Sequence, residues 1–174
     1  MFRNLLVLVL MLAFSTHSLA DKLKKYEDEH LFLFHPDSFS VSYEVDKDGF
    51  REIFVDGPNR TSVFITVTPY PVELPLPDLA ENISRVMLEE YSRIEVLEKE
   101  TRKTITPIDG RMVPGIINIY KTDGFYKVNT VRTTLYLIHK GDRSVIVIEE
   151  RSNREIEADR DMVEKILDSI RIKK

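Results

Sequence analysis

The sequence predicts an α+β fold in which a mainly antiparallel β-sheet is covered by helices. Three observations lead to this prediction. Several short segments have the two-residue alternation of half-buried strands. Four of the six glycines directly follow an aspartate, a pair that is typical of tight turns between strands. Two longer segments have instead the apolar period of amphipathic helices, which must cover a sheet face to bury that side.

The part of the chain from residue 31 to residue 67 is predicted to consist of strands joined by turns. The first strand covers residues 31–34, and His35-Pro36-Asp37 separates it from a second strand at residues 39–45. In this second strand, apolar and aromatic residues alternate with polar ones. Two further strands are predicted at residues 51–55 and 63–67.

A proline-rich run, residues 69–77, follows these strands. Because proline has no N–H to donate to a sheet ladder, the run must leave the sheet. Asp78, with Glu81 three residues later, is predicted to cap a helix. The apolar face of this helix is expected to comprise Leu79, Ile83, Val86, Met87, Tyr91 and Ile94.

The second half is predicted to hold four more strands and a final helix. The strands are expected at residues 96–106, 116–121, 129–139 and 144–150. Ser152, with Glu155 after it, is predicted to open the last helix. Its apolar face is expected to comprise Ala158, Met162, Val163, Ile166, Leu167 and Ile170. No linker interrupts this pattern, so residues 21–174 are predicted to form one domain.

Residues 1–20 have the three-part layout of a secretory signal peptide. Arg3 gives a positive start, residues 5–14 are an unbroken apolar run, and Ser18-Leu19-Ala20 offers small residues for signal peptidase. About twenty apolar residues are needed to span a bilayer, so this run is too short for an anchor. We therefore expect export and cleavage after Ala20.

Composition narrows the class of protein further. The chain has no cysteine, so disulfides, thiol nucleophiles and thiolate metal sites are excluded. A bacterial lipoprotein needs cysteine as its first mature residue. Asp21 stands there, so we expect a soluble protein in the periplasm or secreted from the cell. The net charge of −4 argues against nucleic acid as a partner. Residues 22–29 are expected to be a solvated lead-in, and the protein is expected to be a monomer.

The order of these segments resembles the PsbP-like family, whose fold is shared with a Ran-binding nuclear import factor. The likeness spans most of the mature chain. Its framework parts are the opening strand Leu31-Phe32-Leu33-Phe34-His35-Pro36, the apolar strand at 63–69, the helix at 79–91, the turn Asp109-Gly110 and the closing helix at 163–171.

The resemblance implies an α/β/α sandwich and a protein with no chemistry of its own. PsbP is an extrinsic subunit that docks on a membrane complex and helps to retain inorganic ions, and bacterial relatives are exported. By analogy, we expect an exported accessory or binding protein that docks on an envelope partner.

The proline-rich run is the best candidate for the docking element. It is stiff, and it carries apolar or aromatic side chains between its prolines. The candidate partner-binding residues are Tyr70, Val72, Leu74 and Leu76. The alternative is that the run is a simple connector.

A second hypothesis is a periplasmic protein that binds a small ligand or a metal ion. His35 and Asp37 could supply an imidazole and a carboxylate from one turn, with His30 one strand away. In the alternative interpretation, Asp37 caps backbone amides of that turn. No cofactor is predicted.

Catalytic signatures are absent from the sequence. It contains neither a Gly-x-Ser-x-Gly elbow nor a Gly-x-x-x-x-Gly-Lys phosphate loop. Glu149 and Glu150 are adjacent on a predicted strand and so point to opposite faces. We interpret them as solvated surface rather than as a catalytic pair. An enzyme whose residues converge only in three dimensions is a third alternative.

Overall fold

The computed structural model describes residues 22–58, 61–90, 95–124, 127–152 and 159–173. These residues form two helices, α1 (Leu76–Glu90) and α2 (Arg160–Ser169). They also form the strands β1 (Leu23–Glu27), β2 (Leu31–Pro36), β3 (Ser40–Val45), β4 (Arg51–Asp56), β5 (Ser62–Val67), β6 (Glu95–Ile108), β7 (Arg111–Gly124), β8 (Lys127–Lys140), β9 (Arg143–Ser152) and β10 (Arg171–Ile172).

The strands form two antiparallel sheets. The large sheet has seven strands in the order β3-β4-β5-β9-β8-β7-β6, and the small one has the order β1-β2-β10. Tight turns join β6 to β7 and β8 to β9. At the first of these, Asp109 and Gly110 take positive φ values of 55° and 70°, the conformation that an Asp-Gly pair tolerates. The antiparallel α+β prediction is confirmed.

Each face of the large sheet has its own apolar core. On one face, α2 packs between β2 and β6 and helps to bury a large cluster. That cluster includes Leu31, Leu33, Ile53, Val55, Ile65, Val147, Val163, Ile166, Leu167 and Ile170. On the other face, α1 lies over β7 and β8 and buries a smaller cluster, formed by Leu79, Ala80, Ile116, Leu135 and Ile146.

The first described residues differ from the prediction. Residues 23–27 are not a solvated lead-in but strand β1, which pairs antiparallel with β2 from Leu23 opposite Pro36 to Glu27 opposite Phe32. The sequence did not predict this strand because its mostly charged side chains are exposed and show no alternation. The strand is defined by the pairing of its backbone with β2.

The predicted start of the first helix was also wrong. α1 begins at Leu76, ahead of Asp78, and holds Pro77 in its first turn, where the missing N–H costs nothing. Leu79 is buried, but Val86 is exposed and does not belong to the buried face. Tyr91 and Ile94 lie outside the described residues.

The last helix begins later than predicted. Ser152 is the final residue of β9, α2 starts at Arg160, and Ala158 lies outside the described residues. The carboxylate of Asp159 accepts a hydrogen bond from the Thr61 hydroxyl at 2.9 Å rather than capping the helix. The predicted apolar face from Val163 to Ile170 is buried as expected.

The predicted signal peptide, residues 1–20, lies outside the described part of the chain. Within the described part, neither α1 nor α2 is long and apolar enough to cross a membrane.

Candidate docking site

The chain between β5 and α1 is held to the sheet by two buried hydroxyl side chains. Thr68 Oγ1 accepts a hydrogen bond from the Ser144 backbone N–H at 2.9 Å. The Thr68 N–H donates to the Ser144 carbonyl oxygen, also at 2.9 Å. Ser144 Oγ in turn accepts the Val72 N–H at 2.9 Å. Both side chains are buried, so these bonds fix the path of residues 68–72 against the start of β9.

This anchoring divides the four predicted partner-binding residues into two pairs. Val72 and Leu76 are half-buried and pack against the smaller apolar cluster beneath α1. Tyr70 and Leu74 point outward and are 55% and 46% exposed. The structure therefore leaves Tyr70 and Leu74 exposed and uses the other two as packing residues. We call residues 69–77 the docking segment.

The exposed tyrosine is supported from the side. The Tyr70 ring meets the Phe50 ring edge to face, with centroids 5.5 Å apart and an interplanar angle of 89°. Phe50 follows the turn between β3 and β4, and Gly49 of that turn lies beside Pro69. Edge-to-face ring packing is favourable, so it limits the positions that the exposed Tyr70 ring samples.

The second predicted pair, His35 and Asp37, lies in an open cleft of about 670 Å³. The ring of His35 is buried, and its Nδ1 lies 2.9 Å from the Pro36 carbonyl oxygen. A carbonyl oxygen can only accept, so Nδ1 is the donor in this contact. The Asp37 carboxylate forms an ion pair with Lys24, whose hydrogen bond lowers the pKa of that carboxyl.

His30 does not join this pair. It lies just before β2, at the opposite end of the strand from His35, where its Nδ1 is 2.8 Å from Nη1 of Arg143. Across the described residues, no three histidine, aspartate or glutamate side chains come close enough together to hold a metal ion.

Sequence reasoning missed a buried ionic cluster at one end of the large sheet. Glu149 and Arg151 form a side-chain ion pair and are 3% and 2% exposed, so the interpretation of Glu149 as solvated was wrong. Arg132 lies opposite Arg151 on β8, and Thr134 lies opposite Glu149. Burial raises the pKa of the Glu149 carboxyl, and the two guanidinium groups oppose that rise.

The strand pattern contained the signal for this cluster. Val145 and Val147 are buried, and the same alternation continues to Glu149 and Arg151 two and four residues later. The Glu149–Arg151 pair is therefore buried between the described strands and not part of the solvated surface.

Comparisons with known proteins place the fold. Neither a protein-family model nor a curated protein matches the chain. Among solved structures, the chain is similar to cyanobacterial PsbP (CyanoP) from Synechocystis sp. PCC 6803. The two are 12% identical with a TM-score of 0.50, and the match covers 88% of this chain and 94% of that chain. The chain has the PsbP-like fold.

A second similar structure is LpqN from Mycobacterium tuberculosis, which is involved in cell envelope biogenesis. It is 11% identical with a TM-score of 0.48, and the match covers 88% of this chain and 91% of that chain. At 12% identity, the likeness to CyanoP concerns the fold and not the activity.

Proposed function

We propose that the chain is an exported, non-enzymatic accessory protein that docks on an envelope partner through the docking segment. One observation carries this proposal. Tyr70 and Leu74 are exposed on a segment whose first residues, 69–72, are fixed by buried hydrogen bonds. Export rests on residues 1–20, and the periplasm is the proposed compartment.

A fixed backbone matters because association costs conformational entropy. Each flexible side chain that must be ordered on binding costs about 0.5–1.5 kcal/mol. Here Thr68, Ser144 and the Phe50 ring already hold the first part of the segment, residues 69–72, in place. Tyrosine is also enriched among the residues that dominate interface energies, so Tyr70 is the proposed anchor.

The proposal can be tested by crosslinking the tagged mature protein in its native compartment, followed by capture and mass spectrometry. Tyr70→Ser with Leu74→Ser should abolish recovery of one envelope protein while the variant still folds and melts cooperatively. The matched control is Ile105→Ser with Met112→Ser, which removes side chains of similar exposure, 59% and 57%, from a different surface.

Two results would count against docking through this segment. One is recovery of the protein alone under conditions in which crosslinking works. The other is equal loss of the partner in the control variant, which would indicate non-specific adhesion of exposed apolar groups.

A second candidate function is binding of a small polar ligand or a cation in the His35 cleft. The favouring observation is the Nδ1 donation from His35 to the Pro36 carbonyl, an arrangement that commonly orients a ligating imidazole. A ligand at a hundredfold excess over its Kd would stabilise the protein by about 2.7 kcal/mol. His35→Ala with Asp37→Ala should remove that gain in a thermal-shift panel of divalent cations, and no shift with any cation would argue against cation binding.

A further inference from the structure

The large sheet has two edge strands, and they differ in character. β6 carries charges of both signs, including Glu98, Lys99, Glu100, Arg102 and Lys103. Charged edges of this kind discourage pairing with another strand. β3, with the sequence Ser-Val-Ser-Tyr-Glu-Val, has only one charged residue, Glu44. The β3 edge therefore lacks the protection that β6 has.

The backbone of β3 offers a regular set of donors and acceptors at this edge. At the turn after β3, the Asp46 N–H donates to the Phe50 carbonyl at 3.0 Å, so these two residues form a hydrogen-bonded pair. Hydrogen-bonded and non-hydrogen-bonded pairs alternate along an antiparallel ladder. Val41, Tyr43 and Val45 thus occupy non-hydrogen-bonded pairs with β4, and their N–H and C=O groups point away from the sheet.

The side chains of the same residues present an apolar stripe. Tyr43 is 59% exposed and Val45 is 52% exposed, whereas Val41 is half-buried against the larger core. In the described structure no backbone group of another residue bonds to the outward groups of these three residues. Apolar side chains and unused backbone groups therefore coincide along one edge.

The opposite face of this edge is negatively charged. Glu44 lies directly opposite Glu52 of β4, and both are exposed. Neither carboxylate forms an ion pair with any residue that the structure describes. The nearby guanidinium of Arg51 is on the other face and is bound to Asp28 and Glu29 at 3.1 and 2.8 Å.

We propose that β3 is a docking edge for an extended partner segment in which apolar and basic residues alternate. Residues of that segment opposite Val41, Tyr43 and Val45 would form hydrogen-bonded pairs and lie on the apolar face. Residues opposite Ser42 and Glu44 would lie on the acidic face, where a lysine or arginine neutralises the two carboxylates. This inference goes beyond the proposed function and does not require the docking segment.

Charge favours this occupant over a second copy of the chain. Two β3 strands could pair around Tyr43, which would match the apolar stripes. The same register would bring the second Glu44 to a position diagonal to the first, about 7–8 Å away. A second copy would add like charge where a basic segment adds opposite charge.

The test uses the synthetic heptapeptide Val-Lys-Val-Lys-Val-Lys-Val with a fluorescent label and measures its anisotropy with the full mature protein. The lysine peptide should bind, and the peptide with glutamate in place of lysine should bind at least tenfold more weakly. Glu44→Lys should remove this preference, because the new lysine would lie opposite Glu52 and neutralise it. The matched control, Glu98→Lys on the other edge, should leave it unchanged.

Backbone pairing is tested with methylated peptides. In the proposed register the valine N–H groups face β3, so N-methylation of the valines should abolish binding, while N-methylation of the lysines should preserve it. Tyr43→Pro should also abolish binding, because it removes an outward N–H that β4 does not use. Thermal melting checks that each variant folds.

Several outcomes would overturn the proposal. These are equal binding of the acidic peptide, binding that survives methylation of the valines, and no detectable binding of the lysine peptide. The protein alone could also sediment as a dimer, and Tyr43→Pro could dissociate that dimer. That result would assign the edge to a second copy instead. Tyr70→Ser with Leu74→Ser should bind the lysine peptide like the parent protein, so this test is independent of the docking segment.

Discussion

Thr68→Val is the most informative single substitution, because it removes one hydroxyl while keeping the shape of a buried side chain. Thr68 Oγ1 accepts the Ser144 N–H at 2.9 Å and lies 2.5 Å from the Tyr70 carbonyl oxygen. Valine leaves both groups without this partner. A buried polar group that loses its partner costs about 1–3 kcal/mol.

For these two groups we expect a loss of about 2–4 kcal/mol in the free energy of unfolding, since the Tyr70 carbonyl is partly reachable by water. A protein of this size loses about 2–4 °C in Tm per kcal/mol, so Tm should fall by about 4–16 °C. Urea unfolding followed by circular dichroism measures the free energy directly. The Ser144 amide should also exchange its hydrogen faster.

Thr66→Val is the matched control. It makes the same chemical change two residues earlier on β5, where the described structure gives the half-buried hydroxyl no hydrogen bond. Its Tm should stay within about 2 °C of the parent protein, because substitutions without a lost contact fall near ±0.5 kcal/mol. A Thr68→Val protein as stable as this control would refute the claim that the Thr68 hydroxyl holds the docking segment.

Three further predictions concern the core. Gly115→Ala should destabilise the fold by about 1–3 kcal/mol in urea, because its Cβ would lie 2.6 Å from the Tyr136 ring; a neutral result would contradict the close approach. Glu149→Ala should cost about 3–5 kcal/mol by breaking a buried pair, whereas the exposed control Glu73→Ala should cost less than about 0.5 kcal/mol. Burial raises the pKa of Tyr136 to about 12, so its contribution to stability should be complete below pH 10 and lost as the pH rises from 10 to 12. Urea unfolding across that range should therefore show a smaller alkaline loss of stability in Tyr136→Phe than in the parent protein. An equal loss in the two proteins would contradict this prediction.

Much of the fold could be predicted because the local patterns agree with one another. The alternation in β5 and β9, the apolar face of α2 and the Asp-Gly turns at residues 48–49 and 109–110 each require the arrangement that the structure has, whereas Asp123 and Gly124 are the last residues of β7. Elements stabilised mainly by backbone pairing were harder to predict. β1 buries almost no side chain, so its residues, Leu23–Glu27, give no period-2 signal.

The candidate site was predictable only in part. Proline content places the docking segment outside the sheet, and composition identifies its apolar residues. Which of them are exposed depends on Thr68 and Ser144, which are 76 residues apart in sequence. The buried Glu149–Arg151 pair was missed because charge suggests solvent, although the alternation of Val145 and Val147 places both residues on the buried face.

The central claim is that Leu74 and Tyr70 are the groups that meet the partner. The most direct test replaces Leu74 with a photo-crosslinking amino acid and irradiates intact cells that express the full chain. The account predicts one discrete adduct with an envelope protein from position 74, and none from the same probe at Ile105. No adduct at position 74, or the same adducts from both positions, would contradict the claim.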